Sequence, residues 1–418
     1  MIDLSAAPQR CYHSPSNQSG TPRNAKGRKE SPLPLRFIFA VHNHQPVGNF
    51  DSVFEAAYRD AYRPFLDVLE QFPEVTFVLH TSGPLMEWLA AHRPEYVARL
   101  RKLIARGQVE ILGGPFYEPV LTMIPPRDRV GQMIGYKSYL ENLLSTRVRG
   151  MWVPERVWEP SLVGDIASAD IEFTVLDDHH FKQAGLDDGQ LFGHYLTEDA
   201  GSLLRVFPIS ERIRYLVPFH DVQAAIDYLG HVHQQHQSGV VVFGDDGEKF
   251  GSWPGTHGHV YTNGWLRRFC ELLKSNRHWL RTCTFSQALD ESRPVGKIYL
   301  PDCSYREMTE WALPPQRLAE QKRAPAELQR SLRGGSWRNF KVRYPETQEM
   351  YARMLQVSRH LERAEEEGAD ARRRRGTDQP LQGAVQLSVV ARHLRRPLSA
   401  ASAQRRLPAP DRRGERPA

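Results

Sequence analysis

A chain of 418 residues, 40% hydrophobic and 10% aromatic, is long enough for one large or two smaller packed domains. Its net charge of +6 is an end effect, because residues 371–418 hold 12 Arg against 3 acids and residues 1–34 hold 5 basic residues against 2 acids. The middle is therefore net acidic, which argues against a nucleic-acid surface there, and no apolar run is long enough to cross a bilayer. Four scattered cysteines, Cys11, Cys270, Cys283 and Cys303, form neither a zinc-type pair nor a disulfide framework. The expectation is a soluble cytoplasmic protein with no nucleic-acid or membrane partner.

Residues 1–34 are polar, rich in turn formers and without an apolar core segment, so they read as a disordered leader. Residues 37–41 (FIFAV) read as a buried strand that runs into His42, Asn43 and His44. Two histidines two apart at a strand end point to one side, as a metal pair or a polar substrate clamp requires. Residues 53–72 have helical spacing, and residues 75–79 form a second strand ending in His80. An amphipathic helix over 94–105 stops at Arg106-Gly107. Residues 109–112 (VEIL) form a third strand, in which Glu110 needs a partner or a cavity. The loop GGPFYEP follows, with Phe116, Tyr117 and Glu118.

Residues 127–144 are helical, and residues 151–153 form a short strand running into PERVWEP. Residues 173–176 form a strand that ends in Asp177, Asp178, His179 and His180. A sixth strand lies at 203–207, a helix at about 222–237 and a seventh strand at 240–243. The HVHQQH run on that helix reads as a solvated face. The seventh strand ends in GDDGEKFGSWPGT, where Asp245, Asp246 and Glu248 crowd together and repel one another. Residues 298–300 read as a last strand, and residues 308–367 as helical with breaks near 333–337 and 344–345.

Strands alternating with helices, with polar clusters where strands end, predict a parallel sheet or barrel with its chemistry at the C-terminal strand ends. Two carboxylates suit attack on a sugar's anomeric carbon: Glu155 as one, and Asp246, whose acidic neighbours favour its protonated form, as the other. Trp152, Trp158, Phe116, Tyr117 and Trp253 lie near these acids in the chain and are candidates for sugar stacking or plain core. Two alternatives stay open. His42, His44, His80, His179, His180, Asp177 and Asp178 offer ligands for a metal-dependent polysaccharide deacetylase. A carbohydrate-binding protein without turnover is the other.

At HNHQP, GQVEILGGPFYEPV, MWVPERVWEP and VVVFGDDGEKFGSWPGT the chain resembles glycoside hydrolase family 57. LPDCSYREMTEW and RGGSWRNFKVRYPE resemble its 4-α-glucanotransferase branch, and the likeness runs over about residues 35–363. The resemblance implies a (β/α)7 barrel, an incomplete relative of the eight-stranded barrel, over residues 35–305. A helical segment, 306–367, is attached to it. It also implies retaining chemistry on α-1,4-glucans or maltooligosaccharides, as a 4-α-glucanotransferase or α-amylase, with no cofactor and no catalytic metal. Glu155 becomes the nucleophile and Asp246 the general acid/base, with His42, His44, Glu110, Trp152, Glu248 and Trp253 lining the sugar sites.

The resemblance stops before the family's fifth block, and residues 368–418 read instead as a basic disordered tail. Back-translated and read one base later, residues 381–408 permit YRAQCNCPWWHGTFGGLYLPHLRSAVYR, which restores WHG, FGG and YLPHLR in family order. The expectation is a frameshift between about residues 365 and 377, with a genuine basic tail as the alternative. Either way the expected product has an impaired cleft, and resequencing the locus decides between the two.

Overall fold

A computed structural model of the chain describes residues 33–325, 328 and 332–375. The expectations for the leader, and for the tail beyond residue 375, fall outside these residues.

Seven parallel strands close into a ring: β1 (Leu35–Asn43), β2 (Phe77–Thr81), β3 (Val109–Leu112), β4 (Gly150–Trp152), β5 (Phe173–Asp177), β7 (Ser202–Ile209) and β8 (Val240–Asp246). The ladder runs β1 to β2 to β3 and from β4 through β5 to β7, and β8 returns to β1 over seven registered pairs. Two joints are slight. β3 meets β4 through the single bridge Gly113–Met151, and β7 meets β8 at the single pair Ile209–Val242. The result is a (β/α)7 barrel with helices on its outer face.

The alternation along β1 shows why it forms. Phe37, Phe39 and Val41 join the outer core with Phe65 and Phe269, whereas Ile38 and Ala40 join the inner core. Both faces are thus apolar, as a strand covered on both sides requires. The inward series continues to His42, and register aligns His42 with His80 on one side and Asp246 on the other.

The opposite end of the barrel is plugged. Strand β9 (Leu280–Thr282) pairs with the start of β1, and the helix Phe285–Glu291 follows it. Thr284 and Gln287 form a capping box at its start. Phe285 packs against Phe173 and Phe207, with ring centroids 5.3 and 5.0 Å apart.

Strand β6 (Tyr195–Asp199) forms a hairpin with β7, turned through Ala200 and Gly201, both at positive φ. Strand β10 (Gly296–Lys297) adds to its edge. The strand expected over 298–300 is therefore displaced. Ile298 still donates its N–H to Leu196 O at 2.8 Å, but the ladder ends at Lys297, and Ile298 and Leu300 serve as buried core. The helices Arg306–Trp311, Pro315–Arg323, Asn339–Arg343 and Pro345–Arg375 follow. They are tied to the barrel by Arg338 on Glu159 (2.8 Å), Arg127 on Glu365 (2.8 Å) and Ser358 Oγ donating to Asp128 at 2.6 Å.

Candidate active site

The C-terminal strand ends carry a ring of polar groups. Glu155 follows β4 and Asp246 ends β8, three strand steps apart in a ring of seven, so the two lie across the mouth from each other. Glu155 sits in a one-turn 3-10 helix with φ of 52°, and Arg156 beside it has φ of 46°. Left-handed backbone in non-glycine residues is uncommon and costs energy that the surroundings must hold in place. Here Ser304 Oγ donates to Glu155 O at 2.7 Å, and Arg156 is buried against Asp177. The Glu155 side chain stays exposed, and Tyr305 donates its hydroxyl to Glu155 Oε2 at 3.1 Å.

The acids at β8 are set apart by their partners. Burial alone would raise Asp245, but Arg214, Lys249 and Arg156 outweigh it and hold the carboxyl at about 2. Asp245 is thus a fixed anion, bonded by Arg214 Nε at 3.0 Å and by Lys249 Nζ. Among the described residues, Asp246 has no such ion pair. Burial, then the Asp245 charge, push it up to about 6, and Glu155 adds to the rise while Arg156 and Lys249 oppose it. Glu248 is raised to about 8, first by burial and then by Asp246, although Tyr62 and the His44 N–H (2.9 Å) both donate to it.

On the β1–β3 side the histidines stack. His42 Nδ1 lies 2.7 Å from His80 Nδ1, and its ring lies flat on Trp152 at 4.8 Å and 7°. Burial, with His44 adding to it, lowers His80 to about 3; burial, then His80, His44 and Arg156, hold His42 well below the usual range. Both rings are neutral near pH 7. Glu118, at φ of 54°, faces them with its carboxyl pushed well above the usual range by burial and by Glu155.

Of the residues expected at the site, the structure brings Glu155, Asp246, Glu248, His42 and His44 to one mouth. Trp253 stands at its rim, 40% exposed, with its ring 6.0 Å from that of Phe219 and 5.3 Å from Lys249 Nζ. Trp152 stands behind the pocket, 1% exposed, as a platform for His42, and Arg156 lies 5.3 Å from its ring. Glu110 is a correction. It was expected to line the sugar sites, but it accepts from Phe285 N (2.8 Å), Ser286 N and Ser286 Oγ at the plugged end. Its register partner is Val78, two residues below His80, so it lies roughly 6–7 Å deeper in the barrel.

Sequence reasoning passed over Glu118, Tyr62, Arg214 and Tyr305. Glu118 was visible as the acid closing GGPFYEP after a strand end. The other three arrive from a helix or loop far along the chain, with no local signal.

The model of glycosyl hydrolase family 57 matches residues 38–301, and that of the middle domain of α-amylase/4-α-glucanotransferase matches residues 335–379. A 4-α-glucanotransferase of Thermococcus litoralis is 46% identical over 334 residues, covering 78% of this chain and 50% of that protein. An α-amylase of Pyrococcus furiosus is 45% identical over 338 residues, covering 78% and 51%. The crystal structure of the Thermococcus litoralis 4-α-glucanotransferase superposes with a TM-score of 0.76 at 45% identity, over 79% of this chain and 53% of that one. The chain spans about half the length of the curated relatives it matches. With four sequence blocks, a closed seven-stranded barrel and these matches in agreement, the chain belongs to glycosyl hydrolase family 57.

Proposed function

We propose that the protein is a retaining α-1,4-glucan-active enzyme, a 4-α-glucanotransferase or α-amylase, with Glu155 as nucleophile and Asp246 as general acid/base. The observation that carries this is the contrast between the two carboxyls. Burial, then Asp245 and Glu155, raise Asp246 to about 6, so it holds its proton to higher pH than a free aspartic acid while Glu155 faces it exposed.

In the first step a Glu155 carboxylate oxygen attacks the anomeric carbon, and the glycosidic C–O bond breaks. The departing oxygen takes the Asp246 proton. In the second step Asp246 removes a proton from an acceptor hydroxyl, which attacks the same carbon and releases Glu155. A sugar acceptor gives transfer and water gives hydrolysis. His42, His44, Glu118 and Glu248 surround the mouth with neutral donors and acceptors suited to sugar hydroxyls, and Trp253 offers an open aromatic face.

We place the activity in the cytoplasm, on α-glucan or maltooligosaccharide. Support comes from the free, buried Cys270, Cys283 and Cys303, and no helix among the described residues is long and apolar enough to cross a membrane. The test is incubation of the purified chain with a single maltooligosaccharide. Products longer than the substrate report transfer, and shorter ones alone report hydrolysis. Glu155→Gln should take up no mechanism-based glycosyl label, and Asp246→Asn should lose on the order of 10²–10⁴-fold in rate. Undiminished turnover in both variants would sink the assignment.

A further inference from the structure

We propose that His42 Nε2, His44 Nδ1 and Glu118 Oε2 form a three-ligand site for a divalent transition metal of the zinc type, and that its occupation closes the barrel mouth to sugar. Glu118 Oε2 lies 3.8 Å from His42 Nε2 and 4.0 Å from His44 Nδ1, and one ligand atom of each residue lies within 4.8 Å of the others. Tetrahedral zinc at about 2.0–2.2 Å from each ligand asks for ligand atoms about 3.3 Å apart. The two carboxylate–imidazole gaps must close by about 0.5–0.7 Å and the widest separation by about 1.5 Å to reach that.

The donor set is two imidazole nitrogens and one carboxylate oxygen, which leaves a fourth tetrahedral position for water. That set suits zinc and its neighbours, whereas calcium and magnesium prefer oxygen alone.

A second observation points to a ligand. Among the described residues, His44 Nδ1, a proposed ligand atom, is buried and makes no hydrogen bond, and His80 Nε2 and Glu118 Oε1, likewise without one, lie beside it 3.5 Å apart. The side chains of His80, Glu118 and His42 are almost wholly enclosed, at 0%, 5% and 9% exposure, while that of His44 is 35% exposed and supplies the way in.

The tautomers also fit. If His42 donates from Nδ1 to His80 Nδ1 across their 2.7 Å contact, the lone pair of His42 Nε2 faces Glu118. His80 then turns its own Nε2–H toward Glu118 Oε1, 3.5 Å away. His80 orients both neighbouring ligands, as outer-shell partners of metal-bound histidine do.

The metal takes no part in turnover. It competes with a sugar for the same atoms, and only this inhibitory consequence rests on the glucan reading.

The test uses the full chain, stripped with chelator and titrated with zinc sulfate alone by calorimetry, then with cobalt(II) by visible absorption. One equivalent should bind, with the intense visible bands of four-coordinate cobalt. His44→Asn and Glu118→Gln should each weaken binding by about tenfold or more. The double variant His231→Ala/His236→Ala, on the solvated helix, should bind as the parent does. Circular dichroism establishes that each variant is folded, and His44→Asn alters the least enclosed ligand. The proposal is overturned by the absence of stoichiometric binding. Binding that survives both single variants, or that disappears with the helix variant, overturns it equally. Stoichiometric zinc binding by a chain that shows no glucan turnover even when stripped of metal would keep the metal site and sink the glucan reading; zinc inhibition relieved by excess maltotriose supports both.

Discussion

Asp245 and Asp246 are chemically identical neighbours held at about 2 and about 6, and the difference comes entirely from who stands beside them. A general acid must carry its proton. Asp246 has a raised value, so its protonated fraction is high below about pH 6 and falls as the pH climbs through that value. The expected outcome is an alkaline limb near pH 6 in kcat/KM for a maltooligosaccharide. A flat profile through pH 8 would show that another group donates the proton. The crowding of Asp245, Asp246 and Glu248 was legible in the sequence, and so was the histidine pair at the end of the first strand. Depth was not. Glu110 and Glu118 both stood near the end of one strand, and only register reveals that Glu110 faces the plugged end while Glu118 faces the mouth.

At the level of elements, the apolar runs of the seven ring strands were visible in the sequence, because a strand covered on both faces is apolar throughout. The hairpin strand β6, reading YLTED, and the three-residue β9 carry no such run and were missed. The plug helix follows β9, and Glu110 fixes its first turn by accepting from the N–H groups of Phe285 and Ser286. Those are donors that a helix start leaves without internal partners. Glu110→Ala removes that acceptor and is expected to cost about 1–2 kcal/mol, comparable to losing a good N-cap. Thermal unfolding should show a Tm lower by a few degrees. The same variant should keep its kcat/KM, since Glu110 lies about 6–7 Å deeper in the barrel than the level of Asp246 and is engaged by the plug helix. Loss of activity at unchanged Tm would restore Glu110 to the sugar site.

Over the whole molecule, the long helix Pro345–Arg375 meets the barrel through polar ties, and its Met354 is buried. Ser358 donates to the buried Asp128, and Arg127 pairs with Glu365, 238 positions away. Helical character was legible from composition over this stretch, but the docking partners were not, because nothing local marks Asp128 as their anchor. Asp128→Ala should loosen the helix, and limited proteolysis should then cut faster between residues 323 and 345. An unchanged cleavage rate would mean that the remaining contacts suffice.

The two slight joints of the barrel bear on how the proposed glucan would enter. A hoop fastened by seven pairs between β1 and β8 but by one pair at β7–β8 and one bridge at β3–β4 will flex at its clasps before its staves bend. Glu155 and Asp246 sit on separate arcs between those clasps. Spreading there would widen the gap between them without disturbing either arc. Amide exchange at Ser210 and Trp152, which bond across the clasps to Val242 O and Gly113 O, should outpace that of β1, and a bound oligosaccharide should slow it.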